Sequence, residues 1–374
     1  MIKDKDTMGT TPRLLILIHS LRGGGAGRVC TFLANGLARR GWTVQVAVNL
    51  PGNQRWLAEF NTQVSVSQLG RSHARRALPA LIKQVRDFRP TVVVAFNYQL
   101  AVLLPIVRRL SGVSFKAVGR TVVALSEAAK YRSFWQREIV MPFVRRRYRH
   151  LDMVIAQAEA MRRDLIQHFG LKEGQIAVIN NPAEISKEQK EVEAKVSHSG
   201  EGPTLLYLGR FKPQKQPFLL LDMLEGLRRT EVGSHARLIA AGEGPLLNEF
   251  LSAAQERGLA DAVEYRGYTD DIDSLFHEAD VTVLVSRYEG FPNVLVESIA
   301  RGVPFVSFDC PSGPSDIIEE GKNGHIVPLN DLSAFVKALE DVLKQPPAGG
   351  IVRSTAAKFH PETILDMYEQ VLKQ

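Results

Sequence analysis

Cysteine is almost absent. The 374-residue chain holds two, Cys30 and Cys310, far apart and at no metal-ligand spacing, which excludes a cysteine-built zinc site and a disulfide-rich scaffold. Free, buried thiols in a reducing compartment are the expectation. Aromatic residues make up only 7% and do not interleave with the basic ones, so the stacking surface that single strands need is missing and no nucleic-acid partner is expected. No apolar run approaches the ~20 residues of a membrane span, and "MIKDKDTMGTTPR" at the start carries charge where a secretory leader has its apolar stretch. A cytoplasmic chain that does not cross a bilayer is expected.

Familiar nucleotide motifs are lacking too. A dinucleotide fingerprint needs glycines at its first, third and sixth positions. Counting from Gly23 the sixth is Arg28, and the strand that follows ends in Asn49 rather than in an acid, which disfavours NAD. There is no Walker-type phosphate loop and no Gly-x-Ser-x-Gly elbow.

What is present is a repeating strand and helix rhythm with a sharp charge divide. Residues 1–180 hold 28 Lys and Arg against 10 Asp and Glu, and the remainder holds 19 against 30. The basic character therefore belongs to the first half alone, which faces something anionic. In that half "RLLILIHSL" predicts a strand, "RGGGAG" a glycine loop, residues 28–40 a helix closed by Gly41, and "WTVQVAVNL", "TVVVAF" and "DMVIAQ" further strands. The polar stretch 179–203 reads as a connection, after which the rhythm restarts at "TLLYLGR". Short, unalternated apolar runs suit parallel strands buried on both faces. The expected architecture is α/β, two Rossmann-like doubly wound domains facing across a cleft: a tail at 1–12, a first domain at 13–180, a linker at 181–203, a second domain at 204–345, and a closing segment at 346–374.

Parallel sheets bind ligands beyond the carboxyl ends of their strands. "GRFKPQKQ" puts Arg210 and Lys215 just past one such end, where two cations can converge on a diphosphate or stand as a solvated pair. "EGFPNVLVE" carries two acids. Pro292 favours a helix start, which leaves Glu289 in the preceding loop and Glu297 about one and a half turns inside the helix. Carboxylates bind vicinal hydroxyls, so one acid can hold a hexose and the other a ribose, with phosphates at the helix N-terminus between them. Two incidental surface acids are the alternative. In the first half, Gly24 and Gly25 leave a helix N-terminus open to an anion or a sugar, or merely form a tight turn.

"EGFPNVLVE", "GRFKPQKQ", "AAGEGP" and "ARGVPFVSFDCPSGPSDIIEEGKNGHIVP" together resemble the retaining glycosyltransferases of family GT4 and their Glu-x7-Glu segment. The likeness is dense over 204–330 and thinner through "SLRGGGAGRVCTFLANGLARRG". It implies the GT-B fold, a last helix "PETILDMYEQVLK" returning to the first domain, and transfer of a hexose or N-acetylhexosamine from a nucleotide sugar, expected to be a UDP-sugar, without cofactor or metal. The acceptor implied is a glycan or a polyprenyl-diphosphate-linked chain in cell-surface polysaccharide, lipopolysaccharide or glycoconjugate synthesis. Residue by residue, Arg210 and Lys215 take the diphosphate, Glu297 the ribose and Glu289 the transferred sugar. The backbone of Gly290, Phe291, Pro292, Asn293 and Val294 lines sugar and phosphates, Gly24 and Gly25 close over them, and Gly267 with Tyr268 edges the base.

The chain departs from the family pattern twice. Gly27 stands where relatives commonly carry Glu, and the first-domain histidine is missing. Arg120 is the substitute acceptor contact, with His19 a second candidate or a packed structural residue. A nucleotide-sugar 2-epimerase of the same architecture is the alternative activity, but its acid/base groups would have to come from an acid-poor domain. Finally, "SFWQREIVMPFVRRRYRH" sets Trp135 and other apolar residues before Arg145, Arg146 and Arg147, the composition of a segment that docks on an anionic membrane, or equally one that packs on its own sheet.

Overall fold

The computed structural model describes residues 11–21, 25–50, 57–70, 77–131, 133–183 and 202–374. Gly24, the basic run 71–76 and most of the 181–203 connection lie outside them. The chain forms two compact units. Unit 1 comprises Met1–Gln157, Met161–Ile179 and Leu365–Gln374, and unit 2 comprises Ala158–Ala160 and Asn180–Ile364.

Unit 1 is built on seven parallel strands, β1 (Arg13–Ile18), β2 (Thr43–Val48), β3 (Val64–Gln68), β4 (Val92–Ala95), β5 (Lys116–Arg120), β6 (Met153–Ala156) and β7 (Ile176–Val178), in the order β3-β2-β1-β4-β5-β6-β7. The central strands "RLLILI" and "VVVA" are buried almost throughout because helices cover both faces of the sheet. Helix Gly25–Arg39 buries Val29, Cys30, Leu33, Ala34 and Leu37, one stripe of its surface. Burial pushes the Cys30 thiol up to about 12, so it stays a protonated, inert core residue.

The end of the chain is locked into this unit. An added methyl at Gly36 would stand 2.7 Å from Leu365 Cδ2, so the bare glycine lets the closing helix Pro361–Lys373 approach. Glu369 accepts from Trp42 Nε1 at 3.1 Å and Arg40 Nη1 at 2.9 Å and pairs with Lys373 at 2.7 Å. These partners, Lys373 first, hold its carboxyl down at about 2. Lys116 Nζ donates to the Val371 carbonyl at 2.6 Å.

Unit 2 repeats the plan with six parallel strands, β8 (Thr204–Leu208), β9 (Arg237–Ala241), β10 (Val263–Gly267), β11 (Val281–Leu284), β12 (Phe305–Phe308) and β13 (Gly324–Val327), in the order β10-β9-β8-β11-β12-β13. Its core gathers Leu205, Tyr207, Phe211, Leu220, Leu224, Phe250 and Phe308 with their neighbours. Side-chain caps start its helices where the sequence supplies an acid. Asp331 accepts from Ala334 N at 2.9 Å and Asp271 from Ser274 N at 3.2 Å. In both sheets the strand order reverses at the first strand, between β1 and β4 and between β8 and β11. The carboxyl ends of the strands at such a reversal are the place where sheets of this kind take ligands.

Candidate functional site

In unit 2 the loops after β8 and β11 leave the two strands at the reversal, and these carry the predicted charged residues. The β8 loop is held by Phe211. Its ring is fully buried and packs against Tyr207 and Phe250 with centroids 5.4 and 5.1 Å away, and its N–H donates to the Glu243 carbonyl at 3.0 Å. The Tyr207 hydroxyl donates to the Arg210 carbonyl at 3.0 Å. With its hydrophobic centre fixed, the loop leaves Arg210 exposed and Lys212 half-buried on either side, then turns through Pro213–Lys215.

The β11 loop is stitched to it by one backbone bond and one from a side-chain amide. Arg287 N donates to the Gln214 carbonyl at 2.9 Å, and Gln214 Nε2 to the Tyr288 carbonyl at 2.6 Å. Glu289 follows, its N–H donating to the Pro311 carbonyl at 3.2 Å. Its carboxylate Oε1 accepts from Lys215 Nζ at 2.6 Å. The two residues given to different parts of a ligand are thus bonded to one another.

The turn that follows is clamped by the loop after β12. Ser312 Oγ donates to the Gly290 carbonyl at 2.8 Å, and Gly313 has φ +105°, where an added Cβ would stand 2.4 Å from Pro292 Cδ. Only glycine fits such a backbone at such a distance. Gly290, Phe291, Pro292 and Val294 are buried and Asn293 half-buried. Asn293 Oδ1 accepts from Asn181 Nδ2 at 2.6 Å. Helix Asn293–Ala300 begins directly after Pro292, so Glu289 lies in the loop and Glu297, 5% exposed, about one and a half turns inside the helix, as the spacing predicts. Arg301 Nη1 donates to the Glu297 carbonyl at 3.0 Å. Gly267 and the exposed Tyr268 stand at the carboxyl end of β10, on the same edge of the sheet.

Two site features were not legible in the sequence. Lys212 is the more telling: burial first, then repulsion from Lys215 and Arg210, hold its ammonium below the ordinary value, with Glu289 acting the other way. Ser286, fully buried beyond β11, has no hydrogen-bond partner for its hydroxyl among the described residues. Cys310 is free and buried, as expected, and burial followed by the nearby Glu289 raises its thiol.

The unit 1 candidates fare differently. Gly25 opens helix Gly25–Arg39, while Gly24 is outside the described residues. His19 follows β1, half-buried, its Nδ1 3.2 Å from Asn49 Nδ2. Arg120 corrects the expectation of an acceptor contact. It is 0% exposed, its Nε donates to the Tyr368 hydroxyl at 2.7 Å, and its guanidinium lies 4.8 Å from the centre of the Phe96 ring. A side chain closed to solvent and engaged with the closing helix is a structural tie.

Trp135, Arg145 and Arg146 are exposed and Arg147 is half-exposed, in a helical run where Met141 N–H bonds back to the Gln136 carbonyl in the wide π pattern. Among the described residues no helix is long and apolar enough to cross a membrane.

Comparison with known proteins agrees with the two-unit plan. Residues 23–187 match the family described as Glycosyltransferase Family 4, and residues 188–359 match Glycosyl transferases group 1. The chain is 25% identical over 292 residues to the lipopolysaccharide 1,6-galactosyltransferase of Escherichia coli K12, covering 76% of this chain and 75% of that one. It is also 25% identical over 366 residues to the lipopolysaccharide core biosynthesis glycosyltransferase LpsE of Rhizobium meliloti, covering 95% and 97%. The crystal structure of Anabaena HepE in complex with UDP-glucose superposes with a TM-score of 0.76 at 16% identity, covering 97% of this chain and all of that one. The two Rossmann-like units have the GT-B fold, the matched segments run without a break from residue 23 to 359, and the chain belongs to the GT4 glycosyltransferase family.

Proposed function

We propose that the chain is a retaining, metal-independent glycosyltransferase that moves a hexose or N-acetylhexosamine from a UDP-sugar to a glycan or lipid-linked acceptor in cell-surface polysaccharide or lipopolysaccharide synthesis. The observation that carries this reading is the grouping of Arg210, Lys212 and Lys215 on the β8 loop with Glu289 and Glu297 on the β11 side of the same strand reversal. The cations take the diphosphate, whose charge rises as its bond to the sugar C1 breaks, and so stabilise the transition state most. Glu297 holds the ribose hydroxyls and Glu289 the sugar.

In the retaining reaction the acceptor oxygen bonds to C1 on the face that the phosphate leaves. Its proton passes to the departing phosphate oxygen, so no protein base is required. The names of the two lipopolysaccharide relatives support the product class, and the UDP-glucose complex of the structural neighbour supports the donor. Incubation with a panel of labelled nucleotide sugars and lipopolysaccharide core acceptors tests it. Transfer that persists in EDTA is expected. Conversion of the donor to its 2-epimer would favour the epimerase reading, and transfer lost in EDTA and restored by a divalent ion would overturn metal independence.

The lipid-linked acceptor agrees with a docking surface on unit 1. Residues 133–139 are all exposed, with Phe134 at 73% and Trp135 at 65%. Met141, Val144 and Tyr148 are buried. At about 100° per residue Ile139, Phe143 and Arg146 fall on the opposite side of the helix, with Arg145 and Arg147 flanking them. An apolar ridge bordered by arginines suits an anionic lipid surface. Sedimentation is expected with phosphatidylcholine vesicles containing phosphatidylglycerol, fading as salt rises. Equal pelleting with pure phosphatidylcholine, or none with either, would leave a soluble acceptor.

A further inference from the structure

The Lys215–Glu289 pair is nearly desolvated, its side chains 14% and 10% exposed. A pair of this kind has strong mutual attraction, and separating it is costly unless each partner finds a replacement. The backbones that carry the two side chains are tied to one another, so only the side chains can exchange partners. The Glu289 N–H is tied to Pro311 and the next carbonyl to Ser312, while Lys215 closes the turn whose Gln214 is bonded to Tyr288 and Arg287. Arg210 and Lys212 complete the cationic side; burial first, then repulsion from Lys215, holds the Lys212 ammonium below its ordinary value.

We propose that Glu289 acts as a stand-in for the donor's charge and thereby discriminates the intact nucleotide sugar from the bare nucleoside diphosphate. The inference rests on the donor reading of this site. An ammonium has three N–H donors, so a phosphate can join Lys215 while Glu289 is still bonded. Two anions then flank one cation at about 5 Å and repel each other through a poorly screening medium. Relief comes when Lys215 swings to the phosphate, which leaves a buried carboxylate in need of donors. The hydroxyls of an attached sugar supply them. A bare diphosphate supplies none, so Glu289 competes with it for Lys215 and hastens its departure after transfer. Glu289 is thus both a sugar contact and the group that keeps the product nucleotide from blocking the site.

Calorimetry with UDP and with UDP-glucose and UDP-N-acetylglucosamine, in the absence of acceptor, tests this on the wild type, Glu289→Gln, Lys215→Ala and the double variant. Glu289→Gln is expected to bind UDP about ten-fold more tightly and the UDP-sugars no more tightly, with the gain vanishing when Lys215 is also Ala. Glu289→Ala gives the same sign if the amide variant fails to fold. Unchanged or weaker UDP binding in both Glu289 variants, while Lys215→Ala weakens it, would overturn the exchange and leave the donor reading standing. UDP affinity indifferent to Lys215→Ala would remove the donor reading and the inference with it.

Discussion

Replacing Glu297 by Gln alters one atom of a side chain that is 5% exposed inside helix Asn293–Ala300. Shape and packing are kept, and the backbone carbonyl still accepts from Arg301 Nη1. What changes, if Glu297 holds the ribose as proposed, is the charge offered to its hydroxyls. A hydrogen bond to an ionised acceptor contributes ~1.5–3 kcal/mol and a neutral one ~0.5–1.5, so two ribose hydroxyls together lose about 2 kcal/mol, roughly thirty-fold in the Kd for UDP. Calorimetry with UDP and 2′-deoxy-UDP isolates the contact. The wild type should penalise the deoxy nucleotide, and the variant should penalise it several-fold less. Unchanged UDP affinity, or a deoxy penalty that persists in full, would refute the assignment of Glu297 to the ribose.

Replacing Arg210 or Lys212 by Ala should lower turnover by about 10² with little change in melting temperature, because charge accumulates there as the sugar leaves; steady-state kinetics at saturating donor reads it. The closing helix should respond to acid. Glu369 titrates at about 2 when folded against an ordinary 4.5, so its contribution to stability is fully present above the ordinary value and is lost as pH falls through about 2. Melting curves should show wild type above Glu369→Gln at neutral pH, with the gap closing between about pH 4.5 and 2; a gap that stays constant over that range would contradict the ion-pair account. If the docking proposal holds, changing Arg145, Arg146 and Arg147 to Glu should abolish pelleting with anionic vesicles while leaving UDP affinity unchanged, since none of the three belongs to the site on the β8 and β11 loops.

Strands buried on both faces were legible in the sequence because an unbroken apolar run has few alternatives, as in "LLILI", "VVVA" and "MVIA". Those missed lack that mark. β3, "VSVSQ", is a half-exposed edge strand, β5, "KAVGR", is bounded by charges and holds a glycine, and β7 has three residues. In the site, proline and the eight-residue spacing were enough to put Glu289 in a loop and Glu297 in a helix. Lys212 was passed over because one lysine among several cations has no local signature, and its crowding exists only once the β8 and β11 loops meet. Arg120 shows the converse. A charged residue at a strand end ordinarily faces solvent or ligand, and its burial depends on Tyr368, a residue 248 positions away.

The central claim is retaining transfer from a nucleotide sugar, and carbon-13 NMR of the product formed from a UDP-[13C]hexose in the presence of EDTA tests it most directly. The account predicts a new glycosidic linkage with the α-configuration of the donor. A β-linked product, or no glycosidic product with any nucleotide sugar and acceptor, would contradict it.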